Sequence, residues 1–469
     1  MVADQERYDL LVLGAGAAGF AAAIRAAELG ASVALVESGV AGGTCVNTGC
    51  VPSKAMLAPA ELLFRAGHHP FAGIATQAEG VDLPALGAAR AELVEQLRRE
   101  RYLEVAETRG FGILRGRARF EDDSTIAIDG RRLTASAYVV ATGASPSIPP
   151  IEGLAEAGCL TTTTALELTE LPEELVVVGT GPSGLEMGQL FLHLGSRVTF
   201  IETQPWILPA EEPETSAALQ GVLEDSGATV LTSAQVTRVA RDGARRMLTV
   251  VHAGGERTIA AGAVLVATGR RPNTEDIDPA RAGIAVDAVG ALRVDAALRT
   301  TNPRVWAAGD VTGHPQLVYL AAREGALAAS NALLRRTDTL DLRALPRVVF
   351  TSPAAAAAGL TAAQAEEQGI RCDSRVLPMS AVARPLVDRD ARGFVKIVAE
   401  AGTGRVLGAS VVAAGAGEVI QAAVYAIQFG LTTAQLAETW APYLTVAEAL
   451  RLTAQTFTRD VGTLSCCAA

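Results

Sequence analysis

Cysteine is scarce in this sequence, whose 469 residues include six cysteines and five histidines. Six cysteines are too few for a scaffold held together by disulfides, so those with a special spacing are candidates for chemistry. Cys159 and Cys372 have no neighbour at such a spacing, and we interpret both as structural. The remaining four form two close pairs, Cys45 with Cys50 and Cys466 with Cys467.

The sequence also lacks a long, uninterrupted apolar run. Residues 8–30 are the candidate for a membrane span, but three glycines interrupt this stretch and Arg25 and Glu28 charge it. The first eight residues carry charges and lead straight into a strand pattern, unlike a secretory signal. We therefore expect a cytoplasmic protein with no membrane partner.

An excess of positive charge is absent as well. Forty Lys and Arg residues face 51 Asp and Glu residues, which gives a formal charge of −11 and argues against a nucleic-acid partner. The length predicts two to four domains. A hydrophobic fraction of 49% with 46 glycines suits a tightly turned α/β architecture.

A dinucleotide-binding fingerprint stands near the N-terminus. The apolar run 8–13 predicts a strand, Gly14, Gly16 and Gly19 then open a helix to about Leu29, and a second strand over 32–36 ends at Glu37. The glycines allow a tight turn, a close approach to a pyrophosphate and close helix–strand packing, and the carboxylate accepts from a ribose hydroxyl.

A second copy of this unit follows the predicted strand 175–178. It contains Gly179, Gly181 and Gly184, a helix to about Leu194, and a strand over 197–201 that ends at Glu202. Two intact copies predict two nucleotide cofactors. A 2′-phosphate would meet the like charge of Glu202, and the next four residues include no arginine, so this site favours NADH.

The pair Cys45 and Cys50 lies in the segment Gly42–Lys54, just after the first unit. A helix that begins near Cys45 would favour a thiolate through its N-terminal N–H groups and dipole. The alternative is a pair of buried cysteines that act as small hydrophobic side chains. The Gly-Gly-Thr and Val-Pro-Ser-Lys flanks favour redox chemistry.

Between and after the two units, the pattern predicts further elements. A helix-rich stretch covers 60–111, and strands are expected at 113–120, 125–128 and 138–141. The segment 139–143 (VVATG) is echoed by 264–273, and Asp310 follows a Gly turn. Strands near Val348, Val395 and 406–412, with helices from Glu418 and Glu448, predict a different C-terminal fold.

The segment Gly42–Lys54 resembles the redox-active disulfide segment of the flavin-dependent pyridine nucleotide-disulfide oxidoreductases. This resemblance implies FAD in the first unit, a nicotinamide nucleotide in the second and a homodimer in which each subunit completes its partner's active site. It implies that Asp310 meets the ribitol chain, that Lys54 lies near the flavin and that Glu186 pairs with Lys54. Other residues on the matching motifs are expected to contact the cofactors, and they are Thr44, Gly143 and Gly269.

The expected fold class is α/β, with two Rossmann-like domains and a C-terminal α+β dimerisation domain. The FAD-binding domain would have two parts, 1–145 and 266–345, on either side of a nicotinamide nucleotide-binding domain at 146–265. The dimerisation domain with its Cys-Cys tail would cover 346–469.

One motif departs from the disulfide reductases of this family, which carry a His-Pro-Thr-x-x-Glu segment whose histidine is the acid/base for thiol exchange. Here Tyr443 takes the histidine position and Glu448 is retained. A phenol with a pKa near 10 is a poor proton shuttle at neutral pH, so an ordinary disulfide is not the expected substrate. The alternative for Tyr443 is a packed aromatic at the dimer interface.

The adjacent thiols of Cys466 and Cys467 suit a soft metal ion. This tail, the Tyr443 segment and residues 394–404 resemble the mercuric reductases, a branch of the same family that generally uses NADPH. The resemblance implies that a Hg(II) thiol complex is captured by the tail cysteines, passed to Cys45 and Cys50 of the partner subunit and reduced to Hg(0). The alternatives are a dihydrolipoyl dehydrogenase or other organic disulfide reductase, and a metal-sequestering protein with a vestigial flavin.

Overall fold

The computed structural model describes residues 7–459, which form two compact units. The first unit contains residues 7–56, Pro84–Ser147 and Gly269–Leu340. The second contains Leu57–Leu83, Ile148–Thr268 and residues 341–459. Both units mix helices with sheets, as the predicted fold class requires.

The strands alternate with helices in the first part of each unit and are mostly short. In chain order they are β1 (Arg7–Leu13), β2 (Val33–Glu37), β3 (Gly112–Arg115), β4 (Ala118–Phe120), β5 (Thr125–Ile128), β6 (Arg131–Val140), β7 (Ala144–Pro146), β8 (Leu160–Thr161), β9 (Glu174–Val178), β10 (Arg197–Ile201), β11 (Thr229–Leu231), β12 (Gln235–Asp242), β13 (Arg245–His252), β14 (Gly255–Ala261), β15 (Ala263–Val266), β16 (Arg270–Pro272), β17 (Val305–Ala307), β18 (Pro346–Val349), β19 (Ala354–Gly359), β20 (Cys372–Pro378), β21 (Phe394–Glu400) and β22 (Val406–Ala413).

The helices range from a single turn to five turns. In chain order they are α1 (Ala17–Glu28), α2 (Gly43–Asn47), α3 (Cys50–His68), α4 (Leu83–Arg98), α5 (Glu104–Arg109), α6 (Leu154–Ala157), α7 (Thr162–Ala165), α8 (Pro182–Leu194), α9 (Pro213–Asp225), α10 (Val318–Leu334), α11 (Ala362–Glu367), α12 (Ala383–Val387), α13 (Ala416–Gln428), α14 (Thr433–Ala437) and α15 (Glu448–Gln455). A π-helical turn, Arg99–Leu103, joins α4 to α5, and 3-10 turns lie at Glu275–Ile277, Pro279–Ala282, Asp310–Thr312 and Met379–Ala381. Within the described residues, no helix combines the length and apolar character needed to cross a membrane.

The first unit is built on a sheet with the order β3-β2-β1-β6-β5-β4, in which β17 also pairs with β6. Strand β1 is buried from Leu10 to Leu13 because it lies between β2 and β6 and both faces are covered. Parallel pairing brings the ends of β1, β2 and β6 to one edge. The first fingerprint therefore opens at that edge, as the sequence predicts.

Two predicted strand boundaries in this unit are wrong. The strand expected over 113–120 is two strands, because Gly116 takes a φ of +144° and turns the chain between them. As a result β3 pairs with β2, whereas β4 pairs antiparallel with β5. The strand expected at 138–141 begins at Arg131, because its first residues pair with β5.

The second unit contains a parallel sheet of order β11-β10-β9-β15-β8, in which β9, α8 and β10 form the second fingerprint. The antiparallel strands β12, β13 and β14 follow it in the chain. From Pro346 onward the chain forms an antiparallel sheet of order β18-β19-β22-β21-β20, and α13 and α15 pack into the same apolar core. This sheet with its helices forms the C-terminal α+β part of the expected fold class.

Candidate active site

Cys45 and Cys50 lie on two successive helices. Cys45 is the central residue of the one-turn helix α2, and Cys50 is the first residue of the long helix α3. Cys45 is half-buried, whereas Cys50 is exposed, and the two are not joined by a disulfide. Since α3 begins at Cys50, its N-terminal N–H groups and dipole act on Cys50 rather than on Cys45, where the sequence had placed the helix start.

The two sulfurs interact with each other, and this interaction changes the pKa of Cys45. A hydrogen bond with the Cys50 sulfur, burial and the charge of Cys50 raise the pKa of Cys45 well above its usual range, and the positive charge of Lys54 opposes them. Of the two thiols, Cys45 is therefore held in its protonated form more strongly than an ordinary cysteine. A soft cation that binds both sulfurs would displace this proton.

A turn of glycines holds the pair against the first fingerprint. Gly42 and Gly43 adopt φ values of +107° and +61°, and a Cβ on Gly43 would lie 2.6 Å from the Cα of Gly16. The side chain of Asn47 spans the turn, since its Nδ2 donates to the carbonyls of Ala41 and Gly43 at 3.0 Å. Its Oδ1 accepts from Arg98 at 3.2 Å.

Tyr102 is an active-site candidate that the sequence reasoning missed. Its ring packs edge-on against Phe20, with centroids 4.7 Å apart. Burial, followed by the charges of Cys45 and Cys50, raises the pKa of its phenol, so the phenol lies within electrostatic range of the two thiols. Tyr102 lies in the π-helical turn, whose extra residue rotates side chains relative to an α-helix. The sequence signal was weak, since Tyr102 lies among charged residues typical of an exposed helix face.

The first fingerprint has the shape that a dinucleotide requires. A side chain on Gly14 would overlap the carbonyl oxygen of Ala141, and one on Gly19 would overlap the carbonyl oxygen of Gly14, whereas Gly16 meets nothing closer than 3.5 Å. Glu37 accepts the N–H groups of Ala15 at 2.8 Å and Gly39 at 2.7 Å, one on each oxygen. Each oxygen keeps capacity for a ribose hydroxyl.

Asp310 lies at the same edge, across from a buried arginine. The Nε of Arg270 is 3.9 Å from Oδ2 of Asp310 and has no hydrogen-bond partner among the described residues. Its Nη2 donates to Thr44 Oγ1 at 3.2 Å and to the carbonyl of Ala144. An unsatisfied buried donor that faces a carboxylate fits a bound polar chain such as a ribityl phosphate.

The charges around Asp310 are partly balanced. Burial raises the pKa of Asp310, Arg270 lowers it and Glu324 raises it. Arg270 also feels the charge of Cys50, so its guanidinium lies near both groups. Arg270 was not among the residues predicted from the sequence. Gly143 and Gly269, which were, have φ values of +68° and +111° with open space in front of them.

The second fingerprint repeats the geometry of the first. A side chain on Gly179 would lie 2.6 Å from the carbonyl oxygen of Ala267, and one on Gly184 would overlap the carbonyl oxygen of Gly179. Gly181 faces open space at the start of α8, which leaves its amides accessible to a pyrophosphate. These residues fit a second dinucleotide.

Glu202 is more heavily engaged than Glu37. Its Oε2 accepts the backbone N–H and the hydroxyl of Thr180, and its Oε1 accepts from Gln204 N–H and the Thr203 hydroxyl. Burial acts to raise the pKa of Glu202, but these hydrogen bonds outweigh it and hold the pKa below its usual value. The side chain is thus a fixed negative charge at the end of β10.

The remaining predicted residues occupy varied environments. Glu186 is buried and accepts the N–H of Phe350 at 2.9 Å, so its side chain does not lie on a solvated face of α8. Its predicted pairing with Lys54 stays a prediction. Glu448 is buried at the start of α15, 3.5 Å from Arg451, and Tyr443 is 53% exposed. Cys466 and Cys467 lie outside the described residues.

The two other described cysteines, Cys159 and Cys372, belong to the second unit. Cys159 packs against the core of the second unit, and Cys372 lies at the start of β20 with its sulfur 3.9 Å from the carbonyl oxygen of Ala362. No imidazole is among the groups that shift the pKa of Cys45. Within residues 7–459, no cluster of three or more His, Cys, Asp or Glu side chains could hold a metal ion.

Comparison with known proteins places this geometry in context. The family model described as pyridine nucleotide-disulphide oxidoreductase matches residues 8–325, and the model of its dimerisation domain matches 345–454. The chain is 50% identical over 467 residues to the mercuric reductase of Streptomyces lividans, with 98% of each chain covered. It is 45% identical over 461 residues to that of Staphylococcus aureus, with 98% of this chain and 84% of the relative covered.

Solved structures agree with this match. The HOCl-induced flavoprotein disulfide reductase RclA from Escherichia coli shares 29% identity and a TM-score of 0.86, with 96% of this chain and 100% of that chain covered. LpdA from Mycobacterium tuberculosis has a TM-score of 0.85 at 29% identity, with 97% and 100% covered. The predicted fold class is confirmed by both comparisons.

Proposed function

The chain belongs to the pyridine nucleotide-disulphide oxidoreductase family, and on that premise we propose that it is an enzyme that reduces Hg(II) to Hg(0). The overall reaction is Hg(SR)₂ + NAD(P)H + H⁺ → Hg(0) + NAD(P)⁺ + 2 RSH. Two electrons leave the nicotinamide as a hydride and reduce the metal, while both thiols are released protonated. The observation that carries the proposal is the pair Cys45 and Cys50 at the edge of a dinucleotide cradle, where both thiols act on the Tyr102 phenol and no imidazole is among the groups that shift the pKa of Cys45.

The family uses a flavin and a pyridine nucleotide, and the residues at both fingerprints fit these groups. We assign FAD to the cradle formed by Gly14, Gly16, Gly19 and Glu37, with Asp310 and Arg270 at its inner end. When bound, FAD would supply two-electron transfer from the nicotinamide to the metal ion held by Cys45 and Cys50. The protein binds, orients and balances charge around it.

The thiols bind the metal ion and not an organic disulfide. Cys50 is poised as the thiolate, and Cys45 gives up its proton when a soft cation replaces it. Because Hg(II) exchanges between thiolates without proton transfer at carbon or nitrogen, no histidine is needed. Tyr102 of the same subunit and Tyr443 of the partner subunit supply phenol oxygens that stabilise the ion between the sulfurs.

Delivery to this pair is assigned to the C-terminal tail. Cys466 and Cys467 of the partner subunit would take Hg(II) from small cellular thiols and pass it to Cys45 and Cys50. The chemistry of adjacent thiols supports this step, since two soft ligands compete effectively with free thiols for the ion. The homodimer it needs is supported by the match to a dimerisation domain over residues 345–454.

For the nicotinamide cofactor we propose NADH. The fixed negative charge of Glu202, saturated by protein donors, would repel a 2′-phosphate at the end of β10. Thr203 and Gln204, which follow it, offer no cation to compensate. The mercuric reductases that the sequence resembles generally use NADPH, so activity with the two coenzymes must be compared directly.

We also propose the division into an FAD-binding domain at 1–145 and 266–345, a nicotinamide nucleotide-binding domain at 146–265, and a dimerisation domain at 346–469. The cytoplasm is the proposed compartment, since it supplies both reduced nicotinamide and the small thiols that carry Hg(II).

The test is turnover by the purified yellow enzyme. NADH or NADPH oxidation is followed first with Hg(II) in excess thiol, then with lipoamide, then with Cu(II), the ion bound to RclA in one solved structure. Rapid oxidation with Hg(II) and Hg(0) release support the proposal. Faster turnover with lipoamide would identify an organic disulfide reductase, and stoichiometric Hg(II) binding without oxidation would identify a sequestering protein.

The tail is tested separately with Cys466→Ala and Cys467→Ala in one double variant. Its turnover should fall when Hg(II) is held by excess thiol, whereas Cys159→Ala serves as the matched control and should behave as wild type. Undiminished turnover of the double variant removes the delivery role but leaves the reductase proposal intact.

A further inference from the structure

Helix α10 carries a buried carboxylate that joins two parts of the loop after β17. Glu324 is 1% exposed, and its Oε2 accepts the N–H of Gly309 at 2.7 Å. Its Oε1 lies 2.6 Å from Nδ1 of His314. Gly309 directly precedes Asp310, so Glu324 connects an imidazole near the surface to the turn that bears the flavin-side carboxylate.

Close packing gives this connection little freedom. Gly325 follows Glu324, and a side chain there would overlap the carbonyl oxygen of Ala18 on α1. Gly309 has a φ of +77°, and a Cβ on it would lie 3.2 Å from the Cβ of Ala321 and 3.3 Å from that of Ala18. With both backbones fixed, the hydrogen bond from Gly309 to Glu324 sets the position of the turn.

The charges around His314 balance when it is protonated. Glu324 faces it from α10, Asp310 lies on the adjoining turn, and Arg270 approaches Asp310 from β16. Asp287 lies near Gly313 but accepts the amides of Val289 and Ala291. With His314 protonated, the two carboxylates (Glu324 and Asp310) and the two cations (Arg270 and His314) carry no net charge. With His314 neutral, one buried negative charge is left in excess, which is energetically costly.

We propose that His314 and Glu324 form a positioning pair, in which imidazolium neutralises the buried carboxylate and thereby fixes the Gly309–Asp310 turn for flavin binding. This inference rests on the proposed function, because it takes Asp310 as a flavin contact. His314 touches neither the substrate nor the thiols, so its effect is exerted through Glu324.

The pair implies a pH dependence whose sign follows from the histidine. The hydrogen bond with Glu324 raises the pKa of His314 above its ordinary value, although burial acts to lower it. A raised folded-state pKa means that the stabilisation is complete below the unfolded value and is lost as pH rises through the folded value. In the proposed pair the Gly309–Asp310 turn is fixed only while His314 is protonated, so the affinity for FAD should decrease from neutral to alkaline pH.

The experiment measures FAD release from the holoenzyme by equilibrium dialysis between pH 6 and pH 9. For wild type, the dissociation constant should rise on the order of tenfold, the change that corresponds to coupling of one pKa unit. His314→Gln keeps a donor toward Glu324 but has no proton to lose, so its dissociation constant should be flat across this range. His252→Gln, in the hairpin of β13 and β14, is the matched control and should follow wild type.

A second variant and a second readout keep the test decisive if His314→Gln does not fold. Glu324→Gln should also flatten the profile, and NMR titration of wild type should show that the pKa of His314 increases when FAD is bound. The inference is overturned if the affinity of wild type for FAD does not depend on pH, or if either variant retains the pH dependence. It is also overturned if the pKa of His314 does not change when FAD binds. Failure to bind FAD at any pH would instead contradict the proposed function.

Discussion

At the scale of single residues, Tyr102 shows how a side chain gains a role from its neighbours. Its ring packs edge-on against Phe20, and the charges of Cys45 and Cys50 act on its phenol. A phenol in this position can donate to a thiolate or contact a bound cation without giving up its proton. The residue is therefore suited to steady the ion and unsuited to transfer protons at neutral pH.

We predict that Tyr102→Phe lowers kcat for Hg(II) reduction by about tenfold to a hundredfold, the range typical of one lost polar contact in an active site. The free energy of unfolding should change little, because the packing on Phe20 survives. Steady-state kinetics with urea unfolding checks both. Tyr138→Phe is the control, since the buried Tyr138 hydroxyl bonds only to Ala135 and Ser124 in the described contacts. It should lose stability but keep kcat, and the reverse pattern would contradict the role of Tyr102.

His193 is predicted to make the protein sensitive to acid. Burial, then the charges of Arg392 and His68, lower the pKa of His193 to about 4, and its ring stacks on Phe64 with centroids 4.2 Å apart. Since the unfolded chain binds this proton near pH 6.5, stability should fall as pH drops from 6.5 toward 4, by about 2–3 kcal/mol. His193→Phe keeps an aromatic stack and should reduce this loss, as measured by urea unfolding at several pH values. An unchanged acid profile would show that other groups dominate.

At the scale of elements, α1 and α10 illustrate why particular glycines are required. The two helices cross where Gly325 meets the backbone of Ala18, at a distance that leaves no room for a methyl group. At this crossing α1 follows the first fingerprint, and Glu324 of α10 accepts the N–H of Gly309. The packing of two helices thus positions a cofactor cradle on one side and a buried carboxylate on the other.

We predict that Gly325→Ala destabilises the protein by about 2–4 kcal/mol, because the helices must separate to admit the side chain. Gly87→Ala is the matched control, since Gly87 lies within α4 and has no atom near its Cβ position. It should be neutral or stabilising by up to about 1 kcal/mol. Urea unfolding of the holoenzyme gives both values. Equal effects of the two substitutions would show that the crossing is not tight.

At the scale of the whole molecule, the C-terminal part exposes aromatic side chains that a monomer would not be expected to display. Phe429 is 71% exposed and Trp440 is completely exposed, and Tyr425 and Tyr443 are each more than half exposed. Large apolar groups of this kind mark protein–protein surfaces. Their position within the segment matched by the dimerisation model supports an interface between two copies of this chain.

We predict that Phe429→Glu converts the dimer to a monomer and lowers Hg(II) turnover at least tenfold, because each site would lose Tyr443 of the partner subunit. FAD content should remain, since the proposed FAD cradle lies in the first unit. Light scattering after gel filtration, with turnover on the same sample, provides the measurement. Val289→Glu, at a position 68% exposed in the first unit, should leave the dimer intact. If the Phe429→Glu enzyme is still dimeric and active, Phe429 does not lie in the dimer interface.

The fingerprints show how much of this molecule could be predicted locally. The strand expected at 8–13 is Arg7–Leu13, and the helix expected to end at Leu194 ends there. Apolar runs, glycines and a terminal carboxylate determine such units by short-range sterics, and the match is correspondingly close. The division of 113–120 into two strands was missed because it depends on which distant strand each half pairs with.

The sequence by itself determined the chemistry of this protein: two dinucleotide folds, a close pair of thiols, a tyrosine in place of a histidine and a second thiol pair at the C-terminus. Tertiary structure alone decided that the Cys45 thiol is hard to ionise, since that depends on its burial and on its hydrogen bond with Cys50. It also decided that Tyr102, Arg270 and Glu324 reach the site. Residues far apart in the chain meet through packing and charge, which a linear pattern does not record.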